Sequence, residues 1–197
     1  MFQGTKGVKT IFYINIFAFT LFSLLGLFGV DLFTPLSAWG CDNKNFMPYQ
    51  LITYQFMHAN IVHILFNMLA FISLAPIVEN CIGTKKFYIY YLISGVFSAA
   101  LHIAMIGGNL PLVGASGSIW GMCAMFALFS PNQELNLMFI PINFKAKYLI
   151  GFLFAIEVFF CIFDSSGNIS HWGHVGGAIT GGIFFLYEKY IAKNPNN

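Results

Sequence analysis

The chain has 197 residues, of which 58% are apolar, 18% aromatic and only 8% charged, with a mean hydropathy of +0.75. Ordinary soluble domains carry about 25% charged residues to stay in water, so this composition excludes a soluble globular enzyme, a disordered chain and a coiled coil. The net charge is +2, from nine lysines and no arginine, which leaves no basic stripe for nucleic acid and no Arg-rich phosphate site.

A hydrocarbon core about 30 Å thick takes roughly 20 apolar helical residues to cross. In chain order, the apolar runs predict spans over 11–30, 61–78, 87–106, 116–129, 148–163 and 169–187. Loop punctuation separates them: Asp31 and Pro35, Gly83 with Lys85 and Lys86, Gly107 and Pro111, Pro131, then Asp164 and Gly167. The first run follows Lys6 and Lys9 but lacks a small-residue cleavage site, so it reads as a span and not as a removable signal. The expected architecture is an all-α membrane protein, one domain over 1–197, built as a six-helix bundle with a short fourth helix at its centre.

Lysine placement predicts the orientation. With the N-terminal segment in the cytoplasm, Lys6, Lys9, Lys85, Lys86, Lys145, Lys147, Lys189 and Lys193 fall inside and only Lys44 outside. Both terminal segments are then cytoplasmic. Cys41, Cys81, Cys123 and Cys161 have neither Cys-x-x-Cys nor Cys/His metal spacing, so no metal, cofactor or disulfide framework is expected.

Polar side chains inside spans are expensive and mark function by default. Here they are His63, Asn67, His102, Ser116, Glu157, His171 and His174, with His58 just outside the second span. His63 and Asn67 open span two, Ser116 opens span four, and His174 lies in the second turn of span six. All three spans run from outside to inside, so these groups share one depth in the outer half of the membrane. Span four has 14 residues, about 21 Å of helix, which puts Ser116 roughly 9 Å below the outer hydrocarbon boundary. Residues 110–115 must descend to it as irregular backbone, tolerated only when enclosed by protein or lining a wet cavity. Ser116 therefore has the address of a nucleophile.

Gly114-Ala115-Ser116-Gly117 alone also suits a small-residue helix contact or a cap. A base would come from another span, from His63, His171 or His174. His174 is followed by Gly177 and Gly181, whose spacing lets two helix backbones approach closely enough to set an imidazole about 3 Å from a neighbouring serine. His171, on nearly the same face, lacks such small residues. His63 and Asn67, four apart on one helical face, offer an N–H and an NH₂ to an oxyanion, or else a hydrogen-bonded pair that glues two spans. The Ser116 N–H at the positive end of its helix would add a third donor. His102 reads as a wet interfacial histidine, and Glu157 is costly where it stands and has no role in this reading.

These stretches, 58–67, 114–117 and 173–181, lie on spans two, four and six, and together they resemble the rhomboid intramembrane serine proteases of the basic six-span bacterial type. The resemblance runs from about Ile11 to Tyr187 and includes Glu79 with Gly83, similar to the family's Glu-x-x-x-Gly turn. It implies Ser116 as nucleophile, His174 as general base, and His63 and Asn67 in the oxyanion hole. It further implies transmembrane protein substrates in a lipid bilayer, a bacterial inner-membrane location, and gating by the outer end of span five with the loop 164–170. Two positions depart from the family pattern. Trp120 stands where a tyrosine often stacks on the catalytic histidine, and Tyr49-Gln50 stands for a Trp-Arg pair in the first outer loop.

Because a serine–histidine pair lacks an orienting carboxylate, Trp120, one turn below Ser116, is the expected support for the ring. His58 and His171 are expected to line a water cavity. Two other classes remain as alternatives. One is a small transporter or channel with a polar path through His63, Asn67, Glu157 and His174, although spans one to three and four to six show no repeat. The other is a non-cleaving rhomboid-like protein that binds transmembrane clients; such proteins usually lack the serine or the histidine. A zinc protease is excluded by the absence of His-Glu-x-x-His. Substrate identity and oligomeric state are not legible.

Overall fold

A computed structural model describes residues 4–107, 110–136, 143–164 and 169–192. Lys193, the residues 108–109 and the 165–168 part of the expected gating loop lie outside this description. The elements in chain order are α1 (Lys6–Leu27), α2 (Phe33–Leu36), α3 (Gln50–Thr53), α4 (Ile61–Ile82), α5 (Thr84–Ile106), α6 (Ser116–Phe129), the antiparallel pair β1 (Glu134–Asn136) and β2 (Asn143–Lys145), α7 (Ala146–Phe163) and α8 (His171–Tyr187). A 3₁₀ turn at Tyr54–Phe56 follows α3, and α8 runs into a π-helical turn at Glu188–Ala192.

The all-α membrane bundle stands. Four helices, α1, α4, α5 and α7, are long and apolar enough to cross a membrane, whereas α6 has 14 residues and α8 has 17. Phe17, Phe66, Phe152 and Ile183 are each more than half exposed on the outer faces, as side chains meeting acyl chains must be. Inside, α6 packs against α4, α5, α7 and α8 around Phe71, Tyr91, Met122, Met125 and Phe126, all essentially buried.

Several helices depart from the span bounds expected above, and caps explain the differences. α1 starts at Lys6 instead of residue 11, because the Glu79 carboxylate accepts the Gly7 and Val8 N–H groups of its first turn, both at 2.8 Å. Glu79 also takes the hydroxyls of Thr5 and of Thr84 (2.6 Å), so one carboxylate ties the start of α1 to the end of α4 and the start of α5. α4 continues to Ile82, four residues past the expected end, and stops at Gly83, whose φ of 80° favours glycine. α8 starts at His171 and not at residue 169, because Ser170 caps it by accepting the Gly173 N–H at 3.1 Å. α6 runs over the expected residues.

At the Ser116 end, the first loop is pinned by Gln50, which is fully buried. Its amide donates to the carbonyls of Pro35 (3.1 Å) and Asn45 (2.8 Å) and accepts the Met47 N–H (3.1 Å). The glutamine thus anchors this loop. Ala38 and Leu112 exchange two backbone hydrogen bonds, and the Gly114 N–H donates to the Tyr54 carbonyl at 3.0 Å. The descending segment before α6 is held by these three bonds.

Helices α6 and α8 meet without side chains between them. A methyl group on Gly177 would stand 2.0 Å from the Gly117 carbonyl oxygen, and one on Gly181 would stand 2.1 Å from that of Gly121. Nothing lies within 4 Å of the corresponding position on Gly182. Gly181→Ala is therefore expected to lower the thermal midpoint in detergent, by the equivalent of about 1–3 kcal/mol for overpacking. Gly182→Ala is expected to leave the midpoint unchanged or raise it slightly. Equal midpoints for the two variants would contradict the close approach.

Candidate active site

The interhelical contact places the two groups at the head of α6 and α8. His174 Nε2 lies 2.9 Å from Ser116 Oγ, a hydrogen bond between side chains 58 residues apart. Gly177 is three residues beyond His174 and Gly117 is next to Ser116, so the backbone approach below sets the spacing above.

His63 and Asn67 face the same point from α4. Asn60 caps that helix by accepting the His63 N–H at 2.9 Å, which fixes the turn on which His63 stands. Gly114 has φ of 116°, and a Cβ there would lie 2.7 Å from His63 Nε2 and 3.6 Å from Asn67 Nδ2. Both side chains therefore press against bare backbone two residues before Ser116. His63 Nδ1 takes a long contact from the Ala59 N–H (3.5 Å), and its Nε2 is the ring nitrogen beside Gly114. Asn67 Nδ2 is buried and has no hydrogen-bond partner among the described residues. A buried donor without an acceptor is costly, and one placed next to the backbone that leads into Ser116 is suited to receive an anion.

One expectation changes, and two residues gain defined neighbours. His102 is not wet: it is 6% exposed, and its Nδ1 lies 2.7 Å from Ser170 Oγ, so it braces the cap of α8. His171 is engaged on one ring face and on both ring nitrogens. Its ring stacks on Phe160 at 5.2 Å, its Nδ1 lies 2.6 Å from Glu157 Oε2, and its Nε2 lies 3.2 Å from Asp164 Oδ2. Trp120 meets the ring of His174, with centroids 6.0 Å apart and planes tilted by 32°, and Nδ1 of that ring has no hydrogen-bond partner among the described residues.

The group nearest that nitrogen is Glu157. Its Oε1 lies 3.0 Å from His174 Nδ1, an ion-pair distance whose direction is out of line for a hydrogen bond. Glu157, His171 and His174 also bring one donor atom each within 4.8 Å of one another, which is the spacing a divalent cation would need. Each Glu157 oxygen, however, already faces a ring nitrogen. The sequence marked Glu157 as expensive but carried no signal for its partners.

His58 borders a cavity of about 370 Å³ lined also by Phe19, Phe22, Met57 and Asn60. Its ring meets that of His63 edge-on at 5.1 Å. Burial, and secondarily the neighbouring His63, lowers its pKa to about 4, so it is neutral at pH 7. An unfolded histidine titrates near 6.5. The folded state thus binds fewer protons between about pH 6.5 and 4, and its stability falls as pH drops through that window. His58→Gln is expected to remove part of the acid-induced fall in thermal midpoint between pH 7 and pH 4. A fall identical to that of the unmodified protein would show that His58 contributes nothing to it.

Residues 45–190 match the Rhomboid domain. The rhomboid protease GluP of Bacillus subtilis is 30% identical over 192 residues, covering 93% of this chain and 35% of its own length. Rhomboid-like protease 3 of Toxoplasma gondii is 26% identical over 156 residues, 77% of this chain and 56% of its own. The mitochondrial presenilin-associated rhomboid-like protein of Bos taurus is 28% identical over 207 residues, 98% of this chain and 51% of its own. The chain thus spans between 35% and 56% of the length of these relatives.

Proposed function

The chain belongs to the rhomboid family, and on that premise we propose that it is an intramembrane serine endopeptidase in which Ser116 is the nucleophile and His174 the general base. The observation that carries the reading is the 2.9 Å contact between Ser116 Oγ and His174 Nε2 at the head of two helices in backbone contact. In the proposed reaction Ser116 Oγ attacks the carbonyl carbon of a peptide bond in a transmembrane substrate, and its proton passes to His174 Nε2. The oxyanion is received by His63 Nε2–H, Asn67 Nδ2 and the Ser116 N–H at the start of α6. His174 then protonates the leaving amine, and water, activated by the same ring, releases the acyl group.

The lysine distribution supports cytoplasmic terminal segments and cleavage near the outer face of the membrane. The groups that the transporter alternative would string across the bilayer, His63, Asn67, Glu157 and His174, instead gather around Ser116 and Gly114. The presence of both Ser116 and His174, in contact, supports the cleaving reading over the non-cleaving one.

With purified protein in liposomes, Ser116→Ala and His174→Ala are each expected to abolish cleavage of a single-span substrate and labelling by a fluorophosphonate. Labelling that survives Ser116→Ala would place the nucleophile elsewhere. Asn67→Ala is expected to lower kcat by roughly 10²–10³ while KM changes little, the signature of a donor used in the transition state. An unchanged kcat would remove Asn67 from the oxyanion hole.

A further inference from the structure

Glu157 stands on α7, a helix that buries only Ala146 and Ile150. Apolar packing gives no reason for an ionisable group there, and in a lipid-facing helix it costs several kcal/mol. Two contacts offset that cost. Oε2 lies 2.6 Å from His171 Nδ1, and Oε1 lies 3.0 Å from His174 Nδ1. The second matters for chemistry, because the opposite nitrogen of the same ring is the one 2.9 Å from Ser116 Oγ.

A neutral imidazole carries one ring proton. If that proton sits on Nε2, the ring cannot accept the proton of Ser116; if it sits on Nδ1, Nε2 is free to act as base. Among the described residues, His174 Nδ1 is buried and has no hydrogen-bond acceptor in line. The group beside it is a carboxylate oxygen, which attracts an N–H and repels a lone pair, and so favours the productive tautomer. The same charge stabilises the imidazolium that forms as Ser116 Oγ bonds to the substrate carbon. Such contacts are commonly misaligned before substrate binds and tighten afterwards.

The rest of the cluster holds the carboxylate in this attitude. His171 takes Oε2 and leaves Oε1 turned to His174, while its own Nε2 faces Asp164 Oδ2 at 3.2 Å. Phe160 covers the His171 ring from the side of α7. The side chains of Glu157 and His174 are only 14% and 12% exposed, so water screens their interaction weakly.

We propose that Glu157 is a positioning residue that extends the Ser116–His174 pair into a serine–histidine–glutamate array, braced by His171. The proposal rests on the Ser116–His174 reading above. The proton balance is that of a serine protease: the Ser116 proton moves to His174 Nε2 and on to the leaving amine, while Nδ1–H stays on the ring and Glu157 stays ionised. The competing role for Glu157 is mechanical, a fastener between α7 and α8 that governs substrate entry without acting on the ring.

The experiment separates the two by comparing a small soluble probe with a membrane substrate. The full chain in detergent or liposomes is assayed for its rate of fluorophosphonate labelling, and for kcat and KM on a single-span substrate. Glu157→Gln is expected to slow labelling and kcat by about 10² or more with KM within a few-fold, since loss of the third member costs other serine proteases about 10⁴. Glu157→Asp, which keeps the charge but shortens its reach to His174 Nδ1, is expected to recover about tenfold of that loss and to stay slower than the unmodified protein. Labelling of Glu157→Gln at the full rate, with only substrate cleavage altered, would overturn the proposal in favour of the fastener. If Glu157→Gln fails to fold, Glu157→Asp decides: labelling slowed at an unchanged thermal midpoint supports the proposal, and full-rate labelling overturns it. Ser116→Ala is the control for the underlying reading. If it still cleaves, both readings fail; if it is dead while Glu157→Gln is unimpaired, only the role of Glu157 fails.

Discussion

The structure depends on the backbone contact between α6 and α8. Helices in lipid gain nothing from hydrophobic association and hold together by close packing and hydrogen bonds. Gly177 against the Gly117 carbonyl and Gly181 against that of Gly121 bring the two helices closer than any side chain allows. The third helix joins on the same terms. Methyl groups on Gly121 and Gly117 would meet the hydroxyls of Ser94 and Ser98 on α5, and one on Gly176 would meet the Phe97 carbonyl at 3.0 Å. Three helices so locked leave their first residues little freedom, and Ser116 and His174 are among those residues. The 2.9 Å hydrogen bond is therefore a product of packing one and two turns away from it.

The same constraint explains the polar anchors at the ends of the bundle. A short α6 needs a loop that descends to it, and a descending loop needs its backbone groups satisfied. Tyr54 supplies a carbonyl to Gly114, Ala38 pairs with Leu112, and Gln50 pins the loop that carries Ala38. At the opposite end Glu79 gathers α1, α4 and α5, and Glu188 accepts from Lys86 (2.7 Å) and from the Tyr90 hydroxyl, tying α8 to α5. Apart from the cluster at Ser116, the carboxylates buried in this dry scaffold work as clamps between helix ends.

Much of this was legible in the sequence, and the boundary of legibility is physical. The short α6, the level of Ser116 with His174, His63 and Asn67, and the small-residue face of α8 follow from helix length and from spacing within single helices. What required coordinates was rotation of one helix about its axis relative to another. α7 is apolar nearly all round, so no periodic pattern announces which side of it carries Glu157 inward. The partners of His102 and Gln50 lie in loops whose path no periodicity records. The start of α1 was missed for a similar reason, because its cap is supplied by Glu79, 71 to 72 residues away, and not by its own sequence.

Glu157 also changes how α7 relates to the site. The helix is fixed to the bundle by packing at one end, through the buried Ala146 and Ile150. At the other end it reaches α8 through Glu157, whose two oxygens meet His171 and His174. Its outer face is exposed, with Phe152, Phe159 and Ile162 more than half exposed, while Phe154 meets Trp120 and Phe160 stacks on His171. The polar contact that joins these in docking the helix at the site end also faces the ring beside Ser116. Docking of α7 and orientation of His174 therefore draw on one carboxylate, and displacing the helix would take both away together.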